Sequence, residues 1–349
     1  MRTAPLYLLA MALLGALVPH FASAHEVYVL TPEQIAAALT SPAFSEWNVA
    51  LENLNQFLFW GIITTLAIAG IFFISISRTL EKISEPLLSR LPPYAPFISR
   101  LSIGLGLIAA SYHGALFGPE LPLVTVFGSF APFAQALLGM SGVMFIAGFF
   151  VRIAAIGMLL LFVAAFYTQG LYMLTYTHYL GELLLLLILG AHVLGYHHKG
   201  HDYAHAPAWL LRVKQALTPY ALPILRVGFG VSLLYASLYA KVIHNNLALA
   251  VAETYPAIPI FFGFEPHFLV LGAAILEIVL ALFFILGIEI RFAALFVEFW
   301  LALSLWYFGE AIWPHIILMG IPIAFLCYGY DKKSLEGFFM KRYGRHPVL

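Results

Sequence analysis

Residues 287–294 read Gly-Ile-Glu-Ile-Arg-Phe-Ala-Ala, and residues 148–155 read Gly-Phe-Phe-Val-Arg-Ile-Ala-Ala. The two stretches share a glycine, an arginine four residues on, and a pair of alanines. Each joins two long apolar runs through a link too short for anything but a tight antiparallel helix hairpin. Beyond each arginine a histidine, His178 or His315, opens a further apolar segment. Upstream, Arg100-Leu-Ser-Ile-Gly104-Leu-Gly106 resembles Arg226-Val-Gly228-Phe-Gly230. A unit of four apolar segments therefore occurs twice, over residues 98–196 and again over 220–330.

The composition sets these segments in a membrane. The chain is 62% hydrophobic and only 10% charged, with a mean hydropathy of +0.93; soluble domains carry about 25% charged residues. The net charge of zero offers nothing to nucleic acid. One cysteine, Cys327, excludes an intrachain disulfide, a two-cysteine relay, and the thiolate sets of iron–sulfur and zinc centres. Nine segments are predicted to span, at about 57–77, 98–116, 131–151, 153–173, 179–196, 220–243, 268–288, 291–308 and 312–330. The expected fold is an all-α integral membrane protein, with one N-terminal span followed by two tandem four-helix bundles.

The N-terminus reads as a signal peptide over 1–24, with Arg2, an apolar core from Leu6 to Val18, and Ala22-Ser23-Ala24 as the cleavage site. Residues 25–97 then hold a short external segment, the first span and an inner linker. Within it, Thr31-Pro32-Glu33-Gln34 has the form of a capped helix start. Residues 197–219 form a His-rich linker between the repeats, and 331–349 a basic tail. With the mature N-terminus outside, nine spans put the C-terminus in the cytoplasm. Of the 17 Lys and Arg, all but Arg2 and Lys241 then fall on the inner side, as inner-membrane orientation requires. Arg152 and Arg291 read as headgroup anchors.

Ionisable groups within a bilayer are costly and mark function. On this topology His113, His178, Glu182, Lys241, His244, Glu277 and His315 gather towards the outer half, as candidates for a polar pocket. Lys241 requires a partner, and Glu277 in the next span is the nearest candidate. His178 and Glu182 share a helix face four residues apart; that pair suits proton transfer or plain dipole compensation. Tyr167, Tyr172, Tyr176, Tyr179, Trp306 and Trp313 form either an interfacial belt or the wall of a quinone slot. His197, His201 and His205 are four apart but sit beside Gly200, and read as a solvated linker. Signal cleavage would expose His25, whose α-amine and imidazole suit copper together with a second histidine; the alternative is a histidine of no consequence.

Arg226, Gly228, Gly230, Lys241, Glu277, Gly287 to Ala294 and His315 together resemble the DoxX/DoxD membrane proteins. The resemblance covers about 98–330 as two copies, the second matching better. It implies four-helix units and a subunit role in quinone-linked redox metabolism, including that of sulfur compounds. The expected partners are membrane lipid and other redox subunits. A transporter or copper-handling protein, and a scaffold without chemistry, stand as alternatives.

Overall fold

The computed structural model describes residues 29–190, 208–255, 263–330, 333–343 and 348–349. The signal segment, His25 and the His197–His205 stretch lie outside the described residues. Among those described, the chain is helical and contains no strand beyond one isolated bridge, Ala115 to Pro122. Seven helices among the described residues are long and apolar enough to cross a membrane, so the chain is a multi-pass membrane protein.

Before the bundle come α1 (Pro32–Thr40), α2 (Glu46–Glu52), α3 (Leu54–Ser75) and α4 (Arg78–Leu88). The Thr31 hydroxyl accepts from Gln34 N–H while the Gln34 side chain accepts from Thr31 N–H at 2.8 Å, a reciprocal cap that starts α1. Helix α3 is apolar all round, and none of its central window is buried. Helix α4 is amphipathic, exposing Leu80, Ile83 and Leu87 on one face.

The first set of bundle helices is α5 (Ala95–His113), the short α6 (Leu123–Phe127), α7 (Ala131–Ala147), α8 (Val151–Gln169) and α9 (Thr177–Leu189). After α10 (Ala208–Leu217) comes the second set: α11 (Ala221–Leu238), α12 (Asn246–Thr254), α13 (Pro266–Leu286), α14 (Ile290–Phe308) and α15 (Ile312–Tyr328). Helix α16 (Leu335–Tyr343) follows. The continuous helical stretch Val151–Leu189 is too long for a single crossing at 39 residues. It doubles back through a 3₁₀ turn at Gly170–Tyr176, so that Arg152 at the start of α8 reaches Leu187 near the end of α9.

Both sets pack to one pattern. Within them, α5 lies on α7 and α11 on α13; α8 pairs with α9 and α14 with α15. Between them the partners exchange: α9 packs on α11 and α15 on α5. Glycines permit the closest approaches. A Cβ on Gly142 would lie 2.7 Å from Gly104 O, and one on Gly230 would lie 2.8 Å from Ala281 O. With no hydrophobic drive between helices in lipid, such backbone proximity is what dispersion forces need. The resulting core runs continuously through both sets, with Leu107, Phe145, Met158, Leu183, Leu225, Phe284 and Phe325 out of contact with the surroundings.

The arginines at the short links, and Arg226 on α11, bond to backbone carbonyls of neighbouring helices. Arg152 Nε donates to Leu187 O at 3.0 Å, and Arg291 Nε to Leu326 O at 3.1 Å. Arg226 Nη1 donates to Phe284 O and, at 2.8 Å, to Ile285 O. Each guanidinium thus meets the unpaired carbonyls and negative dipole of a neighbouring helix C-terminus. The sequence reading missed this because the three carbonyl ends they serve are remote in sequence.

Candidate functional site

The bundle has two chemically distinct ends. Arg100, Arg152, Arg226 and Arg291 lie at one. At the other, α5 ends in His113, the turn that follows α11 carries Lys241, and α15 begins at Ile312 beside Trp313. Most of the sequence-predicted site residues belong to this histidine end, but they meet in separate pairs. Among the described residues no three His, Cys, Asp or Glu side chains lie close enough to hold a metal ion.

Glu310 and His315 form the most enclosed pair. Glu310 Oε2 lies 2.9 Å from His315 Nε2, and both side chains are 2% exposed. Gly309, at φ +64, ends α14 and turns the chain so that Glu310 precedes α15 and faces its first turns. Ser304 Oγ donates to Glu310 Oε1 at 2.9 Å. His315 Nδ1 lies 3.0 Å from Ala311 O. A carbonyl can only accept, so Nδ1 carries the hydrogen and donates. Nε2 then faces the carboxyl, although the contact is not aligned as a hydrogen bond and Glu310 Oε2 keeps no well-formed one. Glu310 has no place in the predicted pocket; its position just before a helix start, five residues from His315, was the available signal.

Lys241 and Glu277 do meet, with Nζ 3.1 Å from Oε2 and both side chains mostly buried. Lys241 sits in a π-helical turn, Tyr239–Ile243, closed by His244 N–H donating to Tyr239 O. The wider turn swings the lysine off the α-helical register at the end of α11, a distortion often found at functional positions. His244 packs its ring 4.7 Å from Tyr239, which in turn lies 5.4 Å from Tyr172. His113 stacks on Trp313 at 5.1 Å and 15°, joining the end of α5 to the start of α15.

His178 and Glu182 share α9 but face different neighbours. His178 Nδ1 lies 2.7 Å from Ser232 Oγ on α11, and Ser232 Oγ donates onward to Thr175 O. With the serine hydrogen committed, Nδ1 is the donor. Glu182, with no exposed surface, turns to α5, where Ser99 Oγ donates to its Oε1 at 2.6 Å and Ser102 Oγ lies at 3.3 Å. Its second oxygen has no hydrogen-bond partner. The expected imidazole–carboxylate couple on one helix face is therefore replaced by two separate hydroxyl-linked groups. The two histidines also differ in register. Relative to the shared glycines that end α9 and α15, Gly190 and Gly329, His315 stands where Tyr176 does in the first set, and His178 where Ile317 does in the second.

The aromatic residues divide. Tyr167 and Trp306 are 91% and 80% exposed and point away from the bundle. Tyr176 and Tyr179 are buried, and Tyr179 stacks with Phe117 at 4.2 Å while its hydroxyl donates to Phe117 O.

Residues 29–53 lie across the histidine end of the second set. Leu30 and Ala38 pack on Leu247 and Val251 of α12, and Val49 packs on Phe268 and Leu271 of α13. Asn245 fastens this cover. Fully buried, its side chain accepts from Phe44 N–H at 3.1 Å, donates to Phe44 O at 2.8 Å, and donates to Glu46 Oε1 at 2.7 Å. No family model matches the chain, and neither a curated protein nor a solved structure matches it.

Proposed function

We propose that this chain is a DoxX/DoxD-like subunit of quinone-linked redox metabolism in an inner membrane, with the enclosed pair Glu310–His315 as its working centre. The observation that carries the reading is that pair: an imidazole and a carboxyl, both withdrawn from solvent and 2.9 Å apart. Quinone reduction and quinol oxidation move protons with electrons, and a buried imidazole–carboxyl couple is suited to accept or deliver one. The proposal includes nine crossings, counting α8 and α9 separately and admitting the 17-residue α15. It places the histidine end outside, the arginine end in the cytoplasm, and the signal peptide off the mature chain. Lys241–Glu277 and His113–Trp313 would line the approach, and partner subunits or the quinone itself would supply electrons.

The test is quinone content and quinol-dependent turnover of protein purified with its co-purifying partners in lipid nanodiscs. Bound quinone, with turnover reduced at least tenfold in Glu310→Gln and His315→Asn, is the expected result. Protein that neither retains nor turns over quinone would overturn the reading. A second reading, anion transport, draws on Lys241 as a mostly buried cation at the mouth of the bundle. Uptake by proteoliposomes without any redox activity would favour it.

A further inference from the structure

We propose that Glu289 and Glu336, at the arginine end, form a shared proton site that latches α16 and the end of α3 onto the second set of helices.

The comparison between the two sets isolates Glu289. It holds a left-handed turn between α13 and α14, at φ +47, and Phe150 holds the matching turn between α7 and α8, at φ +50. Phe150 is 60% exposed, whereas Glu289 is 2% exposed. The turn itself does not call for a carboxylate, and a carboxylate out of water is expensive. Glu336, on α16, is also buried. Its own N–H donates to Gly287 O at 3.2 Å, and its carboxyl lies at the N–H groups of Glu289 and Ile290, where α14 begins without a side-chain cap. Ser75, the last residue of α3, is 1% exposed and faces Glu289. Ser75 Oγ, Glu289 Oε2 and both carboxyl oxygens of Glu336 are buried without a well-formed hydrogen bond.

The same place ties the end of α3 to residue 348. Val348 N–H donates to Ser75 O at 3.3 Å, and Arg291 Nη1 donates to Val348 O at 3.4 Å. Since α3 is unburied along its central window, these end contacts and those of residues 44–60 at the opposite end hold it to the bundle.

Other charged and titratable groups face the pair. Arg291 on α14 lies beside Glu336, and Cys327, Tyr330, and Glu85 on α4 surround that arginine. Glu81, also on α4, faces Tyr330, and Arg226 lies against Gly287 but is engaged by Phe284 O and Ile285 O. One nearby guanidinium therefore serves several acids. Burial pushes the Glu289 carboxyl up to about 7, opposed by Ser75. Burial, then the charge of Glu289, pushes Glu336 up to about 8, with Arg291 and the backbone N–H groups opposing. Both acids hold protons more tightly docked than free, where a glutamate titrates near 4.3. Docking is therefore strongest below the free value, weakens steadily as pH rises from there to about 7 to 8, and changes no further above that.

Hydrogen exchange of the full chain in nanodiscs at pH 6 and pH 9, corrected for intrinsic rates, tests the latch. Amides of 335–339 and 72–76 should lose protection at least tenfold at pH 9 in the unmodified protein, and keep it in Glu289→Gln/Glu336→Gln. Unchanged protection in the unmodified protein overturns the proposal, as does an equal loss in the double variant. If the double variant does not fold, Glu336→Gln alone decides: a loss smaller than that of the unmodified protein supports the latch, and an equal one overturns it.

Discussion

Glu310 Oε2 lies 2.9 Å from His315 Nε2, and the imidazole is held in that orientation from behind by Ala311 O. Removing the imidazole strands a buried carboxyl that keeps only its bond from Ser304. His315→Ala should destabilise the protein by about 1–3 kcal/mol, the cost of an unsatisfied buried polar group. Glu310→Gln, which preserves shape and the contact with Nε2, should cost less. Thermal unfolding in detergent followed by circular dichroism compares the two.

Lys241 and Glu277 should show direct energetic coupling. Lys241→Met and Glu277→Leu each remove one side of this contact, and the double variant removes both. A double-mutant cycle on unfolding should return a coupling of about 0.5–3 kcal/mol. Additive single effects would mean that the pair contributes nothing beyond its two separate environments.

Helix packing makes opposite predictions for glycines of similar sequence context. A side chain on Gly142 meets Gly104 O and Ile108, so Gly142→Val should separate α5 from α7 and destabilise by about 1–3 kcal/mol. Gly70 on α3 has nothing within 4 Å of a built Cβ, so Gly70→Ala should be neutral or slightly stabilising. Melting temperatures of the two variants, measured side by side, test this difference.

Asn245 should govern the cover over the histidine end. Asn245→Leu removes three hydrogen bonds to Phe44 and Glu46 at once. The expected outcome is faster proteolytic cleavage within residues 40–46, with the bundle fragment remaining intact. Equal cleavage rates would show that the apolar contacts of α1 and α2 suffice to hold the segment.

Stability should depend on pH through the buried acids of the arginine end. Their raised values, about 7 and about 8, make the folded state lose stability as pH climbs from the ordinary carboxyl value up to that range. Glu336→Gln cannot ionise, so its melting temperature should exceed that of the unmodified protein at pH 9. Toward pH 4, where the carboxyl is protonated in both the folded and the unfolded state, the difference should vanish.

What the sequence determined by itself was what periodicity and solvent dictate. Apolar runs of spanning length, a low charge content, and the Thr31–Gln34 helix start are local facts, and local facts survive folding. The meeting of Lys241 with Glu277 was also within reach, because a lone lysine at the end of an apolar segment must find its counterion in an adjacent one. Tertiary structure decided the rest. His178 and Glu182 lie four apart, but α9 is wedged between α5 and α11, so the small rotation between those positions assigns one residue to each neighbour. The arginines became helix caps because carbonyl ends remote in sequence arrive beside them. Glu289 looked like one letter of a repeated turn; only the arrival of Ser75 and Glu336 from remote parts of the chain sealed it from water. A side chain's charge chemistry depends on what shares its space, and that neighbourhood is set by packing between segments that no sequence window contains.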